Sequence, residues 1–291
     1  MIKRILVLLP ILALLLGSCG KAPAPSEHTP QRVAVLFSSY AEVYRLAGGT
    51  VHITVGESVE RGICPEGVLL VDDGAGKTID TELLLSYRPD LVLGSADIPA
   101  HVQAAELLQK AGIPCRLFRV ECFSDYLALL KYCTELTGNR EAYHTYGTAL
   151  QTEIQALLST KPGAGKKILL IRSGSSAASA KAKTAKEHFA AAMLEELGCS
   201  NVADAAPLLS EGLSVEEILL QDPDHIFIAT MGKEEAAKAY MESLLQQPAW
   251  AALKAVKNKN YTYLSKDLFQ YKPNQRWAEA YRVLAEQLYE P

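Results

Sequence analysis

The 291-residue chain lacks the features that mark several large function classes. Lys and Arg number 29 against 33 Asp and Glu, so there is no basic excess to neutralise a phosphate backbone, and nucleic acid is excluded as a partner. Its longest apolar run, residues 5–16, is shorter than the about 20 residues of a comfortable membrane span. The 6 cysteines show no Cys-x₂-Cys spacing, and no cluster of His, Asp and Glu argues for a bare metal ion. A Gly-x-Ser-x-Gly elbow is missing: Ser173-Gly174-Ser175 lacks the frame, and no histidine has an evident serine partner, which argues against an exported α/β hydrolase. Gly74-Ala75-Gly76-Lys77-Thr78 is not a phosphate loop either, because Val71 stands where the motif requires its first glycine.

What is present is ordinary globular composition, 49% hydrophobic and 21% charged, with length for two domains of roughly 100–150 residues. Residues 1–19 carry a basic start (Lys3, Arg4), the apolar run and Leu16-Gly17-Ser18-Cys19. This resembles a bacterial lipoprotein signal, in which Cys19 becomes the lipidated first residue. Such an anchor places the protein on the outer face of the cytoplasmic membrane, with residues 20–31 as a proline-bearing tether. An exported setting permits disulfides among Cys64, Cys115, Cys122, Cys133 and Cys199. Cys115 and Cys122 can be placed across one strand end, or all five can be small buried residues.

One stretch occurs twice. Residues 82–93 (Glu-Leu-Leu-Leu-Ser-Tyr-Arg-Pro-Asp-Leu-Val-Leu) and 216–227 (Glu-Glu-Ile-Leu-Leu-Gln-Asp-Pro-Asp-His-Ile-Phe) each read as a helix opened by glutamate, a Pro-Asp stop and a strand. The offset of 134 positions is too long for a solenoid and implies two similar halves.

Around these copies, strands and helices alternate at the spacing of parallel sheets. Strands are expected at 32–39, 51–55, 68–71, 91–94, 114–120, 167–172, 225–230 and 261–264. Ser38 or Ser39 is placed to cap the first helix, residues 56–65 read as a loop, and Pro248-Ala249-Trp250 as a turn. Helical periodicity from Asn139 to Ser159 predicts a strut of roughly 30 Å. The division is therefore a leader (1–19), a tether (20–31), an N-terminal α/β lobe (32–138), an inter-lobe helix (139–161) and a C-terminal α/β lobe (162–291). Each lobe is a mostly parallel sheet flanked by helices.

With both lobes and the strut in place, residues 32–290 resemble the substrate-binding lipoproteins of ABC importers for ferric siderophores, haem and cobalamin. The resemblance is carried by Glu42 to Gly48, Glu82 to Val92, Glu216 to Ile228, Trp250 to Asn258 and Lys272-Pro273-Asn274-Gln275-Arg276-Trp277. It implies no catalysis and no resident cofactor. The expected cargo is an iron chelate, haem or cobalamin, and the expected partner is a permease dimer with its ATPase subunits, served by a monomer. It also assigns Glu82 and Glu216 to transporter docking, with Glu217 as a neighbouring alternative; a carboxylate in a first helical turn is favoured by the helix dipole and can accept a bidentate arginine.

Ligand-facing candidates are residues at strand C-termini: Ser39, Tyr40, Arg61 and Asp97 from the first lobe, and Arg172, Met231, Tyr271 and Lys272 from the second. The cations suit cargo carboxylates, and Tyr40 and Tyr271 suit a flat apolar ring. Met231, Tyr40 and Tyr271 are the candidate axial ligands should the cargo be haem. His225 reads as structural, His188 has no assigned place, and Arg276-Trp277 read as the anchor of the last helix. On this reading each repeat copy spans its lobe, strand end toward cargo and helix start toward the membrane. A ligand-sensing or adhesive surface lipoprotein without a permease is the competing class.

Overall fold

The computed structural model describes residues 30–206, 209 and 211–289. The leader, Cys19 and most of the tether lie outside the described residues. Strands β1 (Val33–Val35), β2 (Val51–Thr54), β3 (Leu69–Leu70), β4 (Leu91–Ser95) and β5 (Cys115–Phe118) form the first sheet, in the order β3-β2-β1-β4-β5 and parallel throughout. Strands β6 (Lys167–Ser173), β7 (Lys181–Ala182), β8 (Ser200–Asn201), β9 (His225–Thr230) and β10 (Tyr261–Leu264) form the second, ordered β10-β9-β6-β7 with β8 beside β6. Among the described residues only the β6–β7 pairing is antiparallel. Parallel strands are covered on both faces, so they read as continuous apolar runs rather than alternations; every residue of β4 and β9 is buried.

The duplication extends to single hydrogen bonds. Helices α1 (Ser38–Leu46), α2 (Gly56–Glu60) and α3 (Thr81–Ser86) belong to the first lobe, and α3 is capped by Asp80, which accepts the Leu83 N–H at 2.8 Å. Ser214 caps the helix Val215–Gln221 in the same way, through the Glu217 N–H at 3.4 Å. Arg88 (φ 49°) and Asp222 (φ 44°), each just before its Pro-Asp, adopt the left-handed conformation that ends both helices abruptly. Proline next in sequence disfavours the right-handed helical alternative at these positions.

Several expectations need correction. Ser38 and Ser39 do not cap α1: the cap position is Phe37, without a side-chain bond, and both serines are buried inside the helix. Residues 56–60 are helical rather than loop, and Pro248–Ala251 forms a helical turn. All five cysteines are free, so Cys115 and Cys122 are not joined. The Gly74–Thr78 loop is held by its own acid, since the Asp72 carboxylate accepts the Gly76 N–H at 2.7 Å and the Thr78 hydroxyl at 2.9 Å.

The inter-lobe helix is not a uniform α-helix. Arg140–Tyr143 and Ala149–Ser159 are α-helical, and a π turn, His144–Thr148, lies between them. There the chain presses against helix α5 (Phe123–Thr137): a Cβ on Gly147 would lie 3.2 Å from Leu127 and 3.3 Å from Leu130. The Tyr126 hydroxyl donates to the Tyr146 carbonyl at 2.9 Å, satisfying backbone within the π turn.

This helix is also not the sole link. Trp277, fully buried, opens the last helix (Trp277–Tyr289) and packs edge-on to Phe123 of the first lobe (6.0 Å) and Phe189 of the second (5.7 Å). One apolar cluster accordingly runs through both lobes. Arg276 pairs with Glu279 at 2.6 Å, so Arg276-Trp277 anchor the last helix as the sequence indicated.

Candidate functional site

The two lobes meet along a polar seam organised by Glu42 of α1. Its carboxylate accepts hydrogen bonds from Arg61 (3.2 Å), Asn274 (2.8 Å) and Gln275 (3.0 Å). Asn274 is buried, adopts a left-handed conformation (φ 51°) and also donates to the Ser39 carbonyl at 2.9 Å. Asparagine tolerates that conformation better than most side chains, and Pro273 before it sets the approach of the chain. Beside Glu42, the Arg61 guanidinium reaches the Ser38 hydroxyl at 3.0 Å and lies 4.1 Å over the Tyr271 ring. Ser38 in turn donates to Glu57. Farther along, Lys272 pairs with Glu121 at 3.0 Å and sits 4.9 Å over Phe189.

The structure sorts the ligand candidates accordingly. Ser39 and Tyr40 are buried in the first lobe; the Tyr40 hydroxyl donates to the Phe118 carbonyl at 3.0 Å and burial drives its pKa upward, so it neither covers a cargo ring nor serves as a ligand in this conformation. Arg61 and Tyr271 are partners of one another across the seam. Asp97 is exposed and paired with Arg119 at 2.8 Å. Lys272 is committed to Glu121.

Arg172 and Met231 remain at adjoining strand ends of the second lobe. Arg172 is exposed, forms no ion pair among the described residues and stands opposite Lys181 in the antiparallel register of β6 and β7. Two cations in direct cross-strand register repel unless an anion lies between or above them. Met231 is half-buried, and its N–H donates to the Ser173 carbonyl at 2.9 Å.

His225 and His188 have structural roles. His225 stacks on Phe227 (4.3 Å), and burial pulls its pKa down to about 4. Thr262 donates to Gln287, so it accepts from His225 Nε2–H at 2.9 Å. His188 caps the helix Phe189–Glu196 by accepting the Ala190 N–H at 3.2 Å. Burial first, then the charges of Lys272, Arg172 and Lys183, lowers its pKa to about 3. Of these three cations, Lys272 pairs with Glu121 at 3.0 Å and Lys183 with Glu187 at 3.5 Å.

Sequence reasoning missed Glu42, Glu121, Asn274 and Gln275 as seam residues. A signal was available in the polar run Lys272 to Arg276 between two apolar segments, since polar residues so placed require partners.

Glu82 and Glu216 are both exposed and form no ion pair among the described residues. Glu217 is half-buried and accepts from Gln221 at 3.0 Å, whereas the exposed Glu216 carboxylate accepts from the Ser214 hydroxyl at 3.2 Å. The orientation of the motif differs from the sequence expectation. Helix α3 starts where β3 ends, with the Asp80 N–H donating to the Val71 carbonyl at 2.9 Å, while Asp90 lies at the start of β1. Glu82 therefore stands at the same pole as the strand C-termini, flanking the cleft rather than facing away from it.

Residues 33–268 match the family described as periplasmic binding protein. Comparison with curated protein sequences finds no match. Among solved structures, an ABC transporter substrate-binding protein from Listeria monocytogenes EGD-e is similar over 89% of this chain and 99% of its own, with 16% identity and a TM-score of 0.73. The periplasmic heme-binding protein RhuT from Roseiflexus sp. RS-1, in apo form, is similar over 89% and 97%, with 16% identity and a TM-score of 0.70. The siderophore-binding protein BauB, bound to two molecules of acinetobactin and ferric iron, is similar over 90% and 94%, with 16% identity and a TM-score of 0.70. The two lobes of parallel or mostly parallel sheet and the matched residues agree: the chain belongs to the periplasmic binding protein family, and it is a solute-binding protein, not an enzyme.

Proposed function

We propose that this protein is a lipid-anchored extracytoplasmic binding protein that captures a metal chelate or tetrapyrrole between its lobes and delivers it to an ABC permease. The observation that carries the reading is the pair Glu82 and Glu216: matched positions of an internal repeat, both exposed, both in the first turn of a capped helix. Carboxylates so placed suit basic pockets on two permease subunits. Cys19 supplies the lipid attachment, and residues 20–31 the tether.

The cargo side rests on Arg172, Lys181 and Met231. A ligand carrying carboxylates or other anionic donors relieves the Arg172–Lys181 repulsion, and Met231 offers an apolar or thioether contact beside it. Structural likeness to a heme-binding and a siderophore-binding protein is consistent with that choice.

The test is titration of residues 20–291 with haem, cobalamin and ferric siderophores, followed by visible absorption and Trp/Tyr fluorescence. Saturable binding of one class, weakened by Arg172→Ala, is expected. A Soret shift lost in Met231→Ala selects haem, and silence toward all three classes rejects the cargo assignment. Charge reversal at Glu82 and Glu216 together is expected to abolish uptake while leaving cargo binding intact.

A further inference from the structure

Only four large apolar side chains are markedly exposed among the described residues, and two of them, Leu219 (37%) and Leu220 (76%), share one helical face with Glu216. They lie three and four residues after Glu216 on the helix Val215–Gln221, positions that stack one turn apart on a helix surface. The internal repeat supplies a built-in comparison. Leu219 corresponds to Leu85, which packs against the core of the first lobe, and Leu220 corresponds to Ser86, which turns its hydroxyl onto the Leu83 carbonyl at 2.7 Å. The second copy does bury its helix, through Ile218 at full burial, so the exposed leucines are not a failure of that helix to find its core.

We propose that Leu219 and Leu220 extend the Glu216 docking point into an apolar contact with the permease subunit that receives the C-terminal lobe. This inference rests on the docking role proposed for Glu82 and Glu216. Continuity with that carboxylate selects the occupant: a permease surface that offers Glu216 a basic pocket meets the leucines at its rim. The first lobe, with Ser86, makes only the polar contact. Docking then has a polarity, because the two lobes are not interchangeable even toward two identical permease subunits.

Photocrosslinking of the full lipidated chain in its own cells tests this. Benzoylphenylalanine is placed at position 86, one turn from Glu82 and exposed, at position 220, or at position 107, where Leu107 is an exposed control at 46% on the helix Pro99–Lys110. Adducts from positions 86 and 220 with a polytopic permease subunit, and none from 107, are expected. Burial of one leucine at the interface is worth a factor of at least about ten, so Leu220→Asp should lower the position-86 adduct by that factor while Leu107→Asp leaves it unchanged. Adducts from 86 but not 220 overturn this inference and leave the docking reading standing; adducts from neither overturn both. An adduct of position 220 with a second copy of the chain overturns the inference. So does binding of the delipidated chain to phosphatidylcholine–phosphatidylglycerol vesicles that is lost in Leu220→Asp.

Discussion

Asp90 and Asp224 perform the same task 134 positions apart: each carboxylate accepts an N–H at the start of its lobe's central strand, from Arg32 just before β1 at 3.0 Å and from Lys167, the first residue of β6, at 2.8 Å. Each also returns the bond, its own N–H donating to the carbonyl of that same residue, at 3.1 Å and 2.8 Å respectively. Alanine at either site should cost about 0.5–1.5 kcal/mol, the net worth of hydrogen bonds at these exposed strand ends. Asp224→Ala should cost more, because Asp224 also holds Lys254 at 2.5 Å. Urea denaturation measures both, and equal small losses below about 0.5 kcal/mol would remove the strand-clamp role.

The seam gives a second prediction. Glu42→Ala strands Arg61, Asn274 and Gln275 together, and a loss of about 2–4 kcal/mol is expected, moderated because the carboxylate is 23% exposed. Amide exchange should accelerate at residues 274–276 before it does in β6 or β9. Exchange that speeds uniformly would show that Glu42 supports the fold as a whole and not the seam.

Trp277→Ala should be more damaging, by about 3–5 kcal/mol, as it opens a cavity between Phe123, Tyr126 and Phe189. Its distinguishing consequence is loss of cooperativity: with the shared cluster broken, the lobes should unfold in separate calorimetric transitions. A single transition in the variant would count against a common core.

The pH dependence follows from three buried imidazoles. Burial lowers His101 and His225 to about 4 and His188 to about 3, against 6.5 when unfolded. The unfolded chain therefore takes up protons first as pH falls, so stability is full above 6.5 and declines toward about 4, with the His188 contribution continuing to about 3. His225→Gln should flatten the decline by one proton's worth. A urea midpoint equal at pH 7.5 and 4.5 would show that these rings are not held neutral.

Glycine at position 76 is required by conformation and space. Its φ is +78°, and a Cβ there would come within 2.3 Å of the Leu36 carbonyl oxygen. Gly76→Ala should destabilise the first lobe by about 1–3 kcal/mol, whereas Gly112→Ala (φ +75°), with nothing within 4 Å, should cost less. Thermal melts of the two variants make the comparison.

The sequence displayed the fold through patterns that depend on neighbours along the chain. The repeat, the Pro-Asp stops and the apolar runs of β4 and β9 are local, and each lies where its pattern indicates. The seam was illegible for the opposite reason: Glu42 meets Asn274 and Gln275 from more than 230 positions away, and no local pattern encodes that meeting. Tyr40 shows the associated error. A tyrosine just after a strand looks available to a ligand, but its hydroxyl finds the Phe118 carbonyl and the ring is enclosed. Glu82 and Glu216 are both exposed, while the pole at which Glu82 stands differs from the sequence expectation, since the direction in which a short helix returns along its sheet is a tertiary property.

The π turn at His144–Thr148 has a consequence for the geometry of the whole molecule. Each residue advances an α-helix by about 100°, so the extra residue accommodated in that turn rotates everything after it relative to everything before it. The inter-lobe helix is therefore a phase setter as well as a spacer: together with the shared Trp277 cluster it sets the angle between the face bearing Glu82 and the face bearing Glu216. Deleting one residue within 144–148 would shorten the molecule by only about 1.5 Å, yet it would turn one carboxylate away from the direction of the other.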